Sequence, residues 1–236
     1  MRIKPRLDSR GSADGGSSAD SRGSARILLI HGLGRTPRSL ASLARHLRGS
    51  GHETHSFGYF ATTQPVDQIV RRLHTHLDEL GRATQPLVVI GHSLGGVLVR
   101  AALTLEPRLT TLPQHLVMLG PPNQPPRLAR RLHRNWLYRI INGDAGQRLA
   151  DPAFLAALPP LTLPHTIIAG TGGPVGRWSP FGQDPNDSIV AVDETRQAAD
   201  QPVTELPVRH TFMMNDSRVR AVIDGVLAAC SPVPTP

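Results

Sequence analysis

The sequence around Ser93 has the composition that a nucleophilic serine needs. Ser93 stands in GHSLGG, between the apolar run PLVVI at 86–90 and residues that favour a helix. A serine hydroxyl attacks well only when it is exposed to substrate, near a base and close to donors for the oxyanion. A sharp strand-to-helix turn supplies that exposure and aims free helix amides at the reacting carbonyl. Gly91 and Gly95 permit the turn, because side chains there would collide with the neighbouring strand and helix.

A second glycine-rich stretch could complete an oxyanion hole. HGLG at 31–34 follows the apolar run RILLI at 26–30, so it leaves the carboxyl end of a predicted strand. From there the amide of Leu33 can point beside the amide of Leu94, the residue after the serine. We therefore predict Leu33 and Leu94 as the two oxyanion donors.

His210 is the predicted general base among eleven histidines. It ends the run LPVRH at 206–210, which we interpret as a strand, and it comes late in the chain. In folds that carry the nucleophile on such a strand-to-helix turn, the catalytic residues follow the chain order Ser…Asp…His, so the base comes last. His92 neighbours Ser93 but should point away from it on so sharp a turn. The other histidines are interpreted as helix-surface, solvated or core residues: His46, His52, His55, His74, His76, His115, His133 and His165.

Several acids precede His210 and could orient it. Asp187 lies in the loop FGQDPNDSIV just before an apolar turn, 94 residues after Ser93 and 23 before His210. Asp184 lies in the same loop and is its closest rival. Asp193 and Glu194 are expected to be exposed charges. The residues alone therefore favour Asp187 and leave Asp184 open.

The elements that must position these residues alternate along the chain. Apolar runs of strand length predict strands at 26–30, 52–60, 86–90, 115–120, 165–170 and 206–210. Helical spacing of apolar residues predicts helices near 36–48, 66–80, 94–105 and 217–229. Such alternation indicates an α/β fold, with a mostly parallel sheet covered by helices on both faces. Active sites in these sheets lie at the carboxyl ends of the strands.

Composition excludes several classes of protein. The 236 residues suffice for one domain, and no window approaches the roughly 20 apolar residues of a membrane span. No secretory signal is visible, so we expect a cytoplasmic protein. The single Cys230 excludes an intrachain disulfide and a multi-cysteine metal site. The net charge of +8 is a weak argument for nucleic acid, because the arginines are scattered and aromatic residues make up only 4%.

Three segments outside the central pattern have distinct compositions. Residues 1–25 repeat DSRGSA and contain little to bury, which predicts disorder. The globular domain is expected at 26–230, followed by a tail at 231–236. Within it, 121–160 is a cap or lid candidate, and the amphipathic, arginine-rich stretch 127–146 could either pack on the domain or contact an anionic lipid surface.

At these motifs the chain resembles the α/β-hydrolases, and within them bacterial lipase/esterase-like proteins similar to GPI inositol-deacylase-type lipases. The matching pieces touch most of residues 27–215: ILLIHGLGR, VIGHSLGGVLVR, VMLGPPNQ, INGDAGQRL, IIAG, PNDSIVAVDETR and VRHTFMM. The resemblance implies Ser93, Asp187 and His210 as the triad and supports Asp187 over Asp184, since relatives place the acid just before a G-x-V turn. Here Ser188 replaces that glycine, and Pro125, Pro126 and Arg127 replace the usual Gly-Ser-Glu.

The expected function is therefore hydrolysis of carboxylic esters, of a small molecule or a lipid, without metal or organic cofactor. A thioesterase or acyltransferase would use the same residues. A binding protein on a hydrolase scaffold is a third hypothesis. The sequence leaves the acyl chain, the alcohol and the oligomeric state undetermined.

Overall fold

A six-stranded parallel sheet forms the centre of the molecule. The computed structural model describes residues 24–128 and 144–230. The strands are β1 Arg26–Ile30, β2 Glu53–Phe57, β3 Leu87–His92, β4 His115–Leu119, β5 His165–Gly170 and β6 Thr204–Leu206. Their order across the sheet is β2-β1-β3-β4-β5-β6, and every named pair is parallel. The carboxyl ends of all six strands therefore lie along one edge.

Helices cover both faces of this sheet, as the sequence predicts. They are α1 Ala41–Gly49, α2 Val66–Gly81, α3 Leu94–Ala102, α4 Pro152–Ala156 and α5 Ser217–Cys230, with a further helical stretch at 144–150. Alternate side chains of β1 point to opposite faces, so Leu28 and Ile30 pack with α2 and α3, whereas Ile27 and Leu29 pack with α1 and α5. Two apolar cores thus hold the sheet between helical layers.

The last strand lies earlier in the chain than the sequence predicts. The expected strand at 206–210 is wrong, since β6 is Thr204–Leu206. Pro207 has no N–H to continue the ladder, and the Val208 amide turns back onto the Leu206 carbonyl at 2.7 Å. His210 instead opens a 3₁₀ turn at His210–Asn215.

The ends of the domain and its cap are described only in part. Ala25, the last residue of the predicted N-terminal segment, is buried, and its carbonyl accepts a hydrogen bond from Glu53. Residues 129–143 of the cap candidate 121–160, and with them most of the amphipathic stretch 127–146, lie outside the described residues, as do 1–23 and 231–236. In the described ranges, none of the helices combines the length and apolar character needed to span a bilayer.

Candidate active site

Ser93 lies on a strained turn between β3 and α3. Its backbone angles are φ 53° and ψ −122°, a conformation that a residue other than glycine rarely adopts. The Ser93 amide donates to the Leu119 carbonyl at 2.8 Å, which ties the turn to the end of β4. This strain fits the sharp turn that the sequence predicts at Ser93.

Two glycines make room for that turn. A Cβ on Gly91 would lie 2.5 Å from the Gly96 amide nitrogen, and one on Gly95 would lie 2.5 Å from the Ile30 carbonyl oxygen. Both distances are far below van der Waals contact. The strand, the turn and the helix can therefore pack this closely only with glycine at both positions.

The predicted oxyanion residues lie on both sides of Ser93. Gly32 lies so close that a Cβ there would be 3.1 Å from the Ser93 Cβ, and Leu33 lines the same cavity as Ser93. Leu94 is the first residue of α3, so its amide has no acceptor within the helix. The Gly32–Leu33 segment and the first residue of α3 thus both lie next to Ser93.

Tyr59 braces the loop that carries Leu33. Its ring stacks on the His31 ring with centroids 4.1 Å apart, and its hydroxyl donates to the His31 carbonyl at 2.7 Å. Burial lowers the pKa of His31, which keeps the imidazole neutral and able to donate from Nδ1 to the Gly32 carbonyl at 2.9 Å. Hydrogen bonds to the carbonyls of His31 and Gly32 therefore hold the backbone of this loop in place.

His210 and Asp187 form a short, buried hydrogen bond. His210 Nδ1 donates to Asp187 Oδ2 at 2.6 Å, and both side chains are almost entirely enclosed. The His210 amide also donates to the Asp187 carbonyl at 2.9 Å, so backbone and side chain are paired together. His210 lines the same cavity as Ser93. The structure thus brings the three residues of the predicted triad to one end of the sheet.

The second oxygen of Asp187 is held by the backbone of its own loop. Asp187 Oδ1 accepts from the amides of Ile189 at 3.0 Å and Val190 at 2.7 Å. Ser188 takes up the left-handed conformation, with φ 88°, where the resemblance leads one to expect glycine. Ser188 therefore occupies a backbone conformation that glycine adopts more readily than other residues. Asp184, the rival, pairs instead with Arg127.

Gly120 supports this pair and was missed in the sequence. A Cβ there would lie 3.0 Å from both Asp187 Oδ2 and His210 Nδ1, and its φ of +57° also favours glycine. The glycine follows the apolar strand β4 directly. That position at a carboxyl strand end is the signal that could have identified it.

His92 also contacts His210, which its sequence position beside Ser93 does not indicate. His92 Nε2 donates to the His210 carbonyl at 3.0 Å, and the two rings lie 4.8 Å apart. Burial, and then the charge of His210, keep the pKa of His92 well below its ordinary value. A neutral His92 therefore positions the backbone of His210.

Arg127 joins the segment after β4 to the acid loop, by which we mean residues 184–194 around Asp187. Its guanidinium pairs with Asp184, with Asp193 at 2.6 Å and with Glu194 at 3.5 Å. The expectation that Glu194 is exposed is wrong: it is buried, and its carboxylate accepts from the amides of Arg127 and Ala191. Burial raises the pKa of Glu194. The network fixes the two segments that contribute Pro126 and Val190 to the cavity.

The cavity at this edge has a volume of about 320 Å³ and mainly apolar walls beside the polar groups. Its apolar lining comes from Leu33, Pro122, Pro126, Leu128, Leu149, Ile189 and Val190. In the described part of the chain, no group of three or more His, Cys, Asp or Glu side chains is arranged to hold a metal ion. A serine and the imidazole of an imidazole–carboxylate pair line this cavity, and acyl transfer uses groups of these kinds.

Comparison with protein families gives a match over most of the chain. Residues 27–233 match the alpha/beta hydrolase family. No curated protein sequence matches the chain significantly.

Solved structures with a similar fold include enzymes that act on esters. The mature lipase BlEst2 of Bacillus licheniformis aligns with TM-score 0.69 and 19% identity, over 87% of this chain and 92% of that one. The phospholipase PlaB of Legionella pneumophila gives TM-score 0.59 and 19% identity over 74% of this chain but only 46% of its own. The Vlm2 thioesterase domain gives TM-score 0.56 and 15% identity, over 90% and 96%.

Proposed function

Because the chain belongs to the alpha/beta hydrolase family, we propose that it is a serine hydrolase that cleaves carboxylic esters through an acyl-enzyme on Ser93. The observation that carries this proposal is the enclosed His210–Asp187 hydrogen bond of 2.6 Å opening onto the same cavity as Ser93. A histidine oriented by a buried carboxylate is what a serine needs to become a nucleophile.

In the first half-reaction the Ser93 oxygen attacks the ester carbonyl while His210 Nε2 takes the serine proton. Asp187 holds the imidazole in the tautomer that leaves Nε2 free, and it stabilises the positive charge that the proton brings. The amides of Leu33 and Leu94 hold the oxyanion, an effect worth about 3 kcal/mol per donor in comparable sites. His210 then protonates the departing alcohol.

The second half-reaction releases the acid. Water enters, His210 accepts one of its protons, and the hydroxide attacks the acyl carbonyl on Ser93. The same two amides stabilise the new oxyanion, and His210 returns the proton to the Ser93 oxygen as the acid leaves. The mainly apolar cavity suits an aliphatic or aromatic acyl group.

A serine-directed fluorophosphonate probe tests the proposal. We expect stoichiometric labelling at Ser93 in the folded protein, and none in Ser93→Ala, which should hydrolyse a soluble p-nitrophenyl ester about 10⁶-fold more slowly. Ser217→Ala, a change at the first residue of α5, is the matched control and should label normally. A folded wild-type protein that neither reacts with the probe nor hydrolyses esters would instead support a binding protein on this scaffold.

A thioesterase is the second candidate, favoured by the fold shared with the Vlm2 thioesterase domain. Hydrolysis of an oxyester and a thioester with the same acyl group separates the two activities. We expect the larger kcat/KM for the oxyester, and a ratio that favours the thioester by tenfold or more would reassign the substrate class. Transfer of the acyl group to an added alcohol in preference to water would indicate an acyltransferase.

The exposed apolar side chains suggest how a lipid ester could reach the site. Among the described residues, five of the six exposed large apolar side chains follow the carboxyl ends of strands: Phe60, Val175, Trp178, Ile189 and Phe212. Arg177 and Arg209 are exposed at the same edge, and the Arg177 guanidinium lies 4.7 Å from the centre of the Trp178 ring. We name these five apolar residues and two arginines the exposed rim. An anionic lipid surface would match both its apolar and its basic groups.

Vesicle binding tests this lipid contact separately from the chemistry. We expect Trp178→Ala to reduce sedimentation with phosphatidylglycerol vesicles, and to slow hydrolysis of an ester held in them, by severalfold. Hydrolysis of a soluble short ester should not change. Leu112→Ala, at an exposed residue before β4 and thus at the opposite edge, should affect neither. Equal effects of the two changes, or no vesicle binding by the wild-type protein, would contradict the contact.

A further inference from the structure

A second cavity lies on the other side of the loop that follows β4. Its volume is about 390 Å³. Asn123, Gln124 and Pro125 line it, whereas their neighbours Pro122 and Pro126 line the catalytic cavity. One short loop thus forms a wall of both cavities. The function proposed above makes no use of the second one.

Arg100 brings an uncompensated positive charge to this cavity. Its guanidinium is buried, and the described residues offer it only neutral acceptors: Asn123 Oδ1 at 2.9 Å and the carbonyls of Leu158 at 3.0 Å and Pro159 at 3.4 Å. Among the described residues, no carboxylate lies within ion-pair distance of it. Burial lowers the pKa of Arg100 to about 10, with no acid acting in the opposite direction. A buried cation without a counterion is costly to the fold.

Two buried donors, on residues that line this cavity, have no acceptor in the described part of the chain. One is Nε of Arg100 and the other is Nε2 of Gln197. The orientation of the Gln197 side-chain amide is set by its Oε1, which accepts a hydrogen bond from the Leu161 amide at 3.0 Å. Buried donors are nearly always paired in native proteins. The bonds from Arg100 to three loop oxygens use its Nη atoms. They provide no acceptor for Arg100 Nε or Gln197 Nε2.

The other described residues of the lining are mostly apolar, and none of them is an acid. They are Pro125, Pro152, Leu155, Ala156, Leu158 and Pro160, beside the amides of Asn123 and Gln124. A multiply charged anion such as phosphate would be poorly matched, because Arg100 is the one positive side chain among the described residues that line the space. A single negative charge on an apolar body fits both halves of the lining.

We propose that this cavity binds a small aliphatic carboxylate, with its oxygens on Arg100 and Gln197 and its chain against Leu155 and Leu158. The carboxylate supplies the counter-charge for Arg100 and the acceptors for both unpaired donors. Bound there, it also contacts the loop whose outer residues line the catalytic cavity. The site is independent of Ser93, so it stands whether or not the protein hydrolyses esters.

Hexanoate, compared with hexanol, is the direct probe. In ¹⁵N-labelled protein we expect a saturable hexanoate titration to shift the Arg100 Nε–H and the Gln197 side-chain amide resonances. Hexanol has the same chain without the charge and should leave both in place. If the two resonances do not move with hexanoate, or move equally with hexanol, the carboxylate site is refuted. Inorganic phosphate is titrated in parallel, and a tighter Kd for phosphate than for hexanoate would overturn the aliphatic assignment.

Gln197→Glu tests the site without removing Arg100, whose loss could unfold the loops it holds. The new carboxylate keeps the acceptor for the Leu161 amide, removes the Nε2 donor and places a negative charge in the cavity. We expect hexanoate to bind at least tenfold more weakly. Gln68→Glu, the same change at an exposed residue of α2, controls for net charge and should bind as the wild type does. Wild-type affinity in Gln197→Glu would reject the site.

Discussion

Among the described residues, two histidine–aspartate pairs differ in character. His210 and Asp187 lie in loops at the carboxyl edge of the sheet, joined at 2.6 Å and buried. His46 on α1 and Asp224 on α5 are joined at 2.9 Å in a partly exposed helix contact. The residue types are the same. Only the first pair opens onto a cavity that also contains a serine.

The difference lies in what surrounds each carboxylate. Asp187 turns one oxygen to His210 and the other to two loop amides, so its position is fixed on both sides. Both oxygens of Asp224 lie 2.9 Å from the same nitrogen of His46. A carboxylate held independently of its histidine can orient an imidazole during catalysis. The exposed pair contributes at most a modest amount to stability.

Neutralising each acid in turn tests whether the two pairs differ in function. Asp187→Asn should lower kcat by about 10⁴-fold, because an amide favours the wrong tautomer of His210 and cannot offset its charge. Asp224→Asn should leave kcat unchanged within twofold. Steady-state hydrolysis of a soluble p-nitrophenyl ester measures both. Similar losses in the two variants would show that the buried pair has no special role.

A smaller effect is expected from crowding the pair without changing it. Gly120→Ala places a methyl group 3.0 Å from both Asp187 Oδ2 and His210 Nδ1, and it forces alanine into φ +57°. We expect kcat to fall about 10- to 100-fold, because the imidazole must shift by a few tenths of an ångström. Kinetics and urea unfolding measure the two consequences.

Gly225→Ala is the matched control, on α5 directly after Asp224. A Cβ there meets nothing within 4 Å. The change should leave kcat as it is and stabilise the protein by up to about 1 kcal/mol, since alanine favours a helix interior over glycine. If Gly120→Ala behaved like this control, close packing around the His210–Asp187 pair would be irrelevant to activity.

The smallest effect concerns the ion pairs that brace the acid loop. Arg127→Gln removes the contacts to Asp184, Asp193 and Glu194, which hold the wall of the cavity. We expect kcat/KM to fall less than tenfold and the free energy of unfolding to fall by about 1 kcal/mol. Arg82→Gln, which breaks an exposed pair with Asp78 on α2, should change neither quantity measurably. Equal behaviour of the two variants would mean that the brace does not position the loop.

Much of the nucleophile region could be predicted because its constraints are local. The run at 87–92, the turn at Ser93 and the helix after it are contiguous, and their packing requires glycine at fixed offsets. Short sequence spacing is therefore enough to predict the strand, the strained turn and the helix. The parallel sheet follows in the same way from apolar strands alternating with amphipathic helices.

The acid–base region depends on contacts between distant residues, and there sequence reasoning was less complete. The interpretation of Glu194 as an exposed charge is wrong because Arg127, 67 positions earlier, packs on its carboxylate. The predicted strand at 206–210 is wrong because Pro207 ends the ladder before His210. The contacts of Gly120 and His92 with the His210–Asp187 pair involve partners that no local pattern identifies.

By itself, then, the sequence determined the order of strands and helices and the glycine-flanked serine between β3 and α3, since backbone sterics and side-chain periodicity act over a few neighbouring residues. The tertiary structure was needed to separate Asp187 from its rival Asp184 as the partner of His210, and to show that the charge of Arg100 is buried beside an apolar cavity. Those outcomes depend on the parallel strands bringing loops that are distant in sequence to one edge of the sheet. Burial and pairing then give each ionisable group its character.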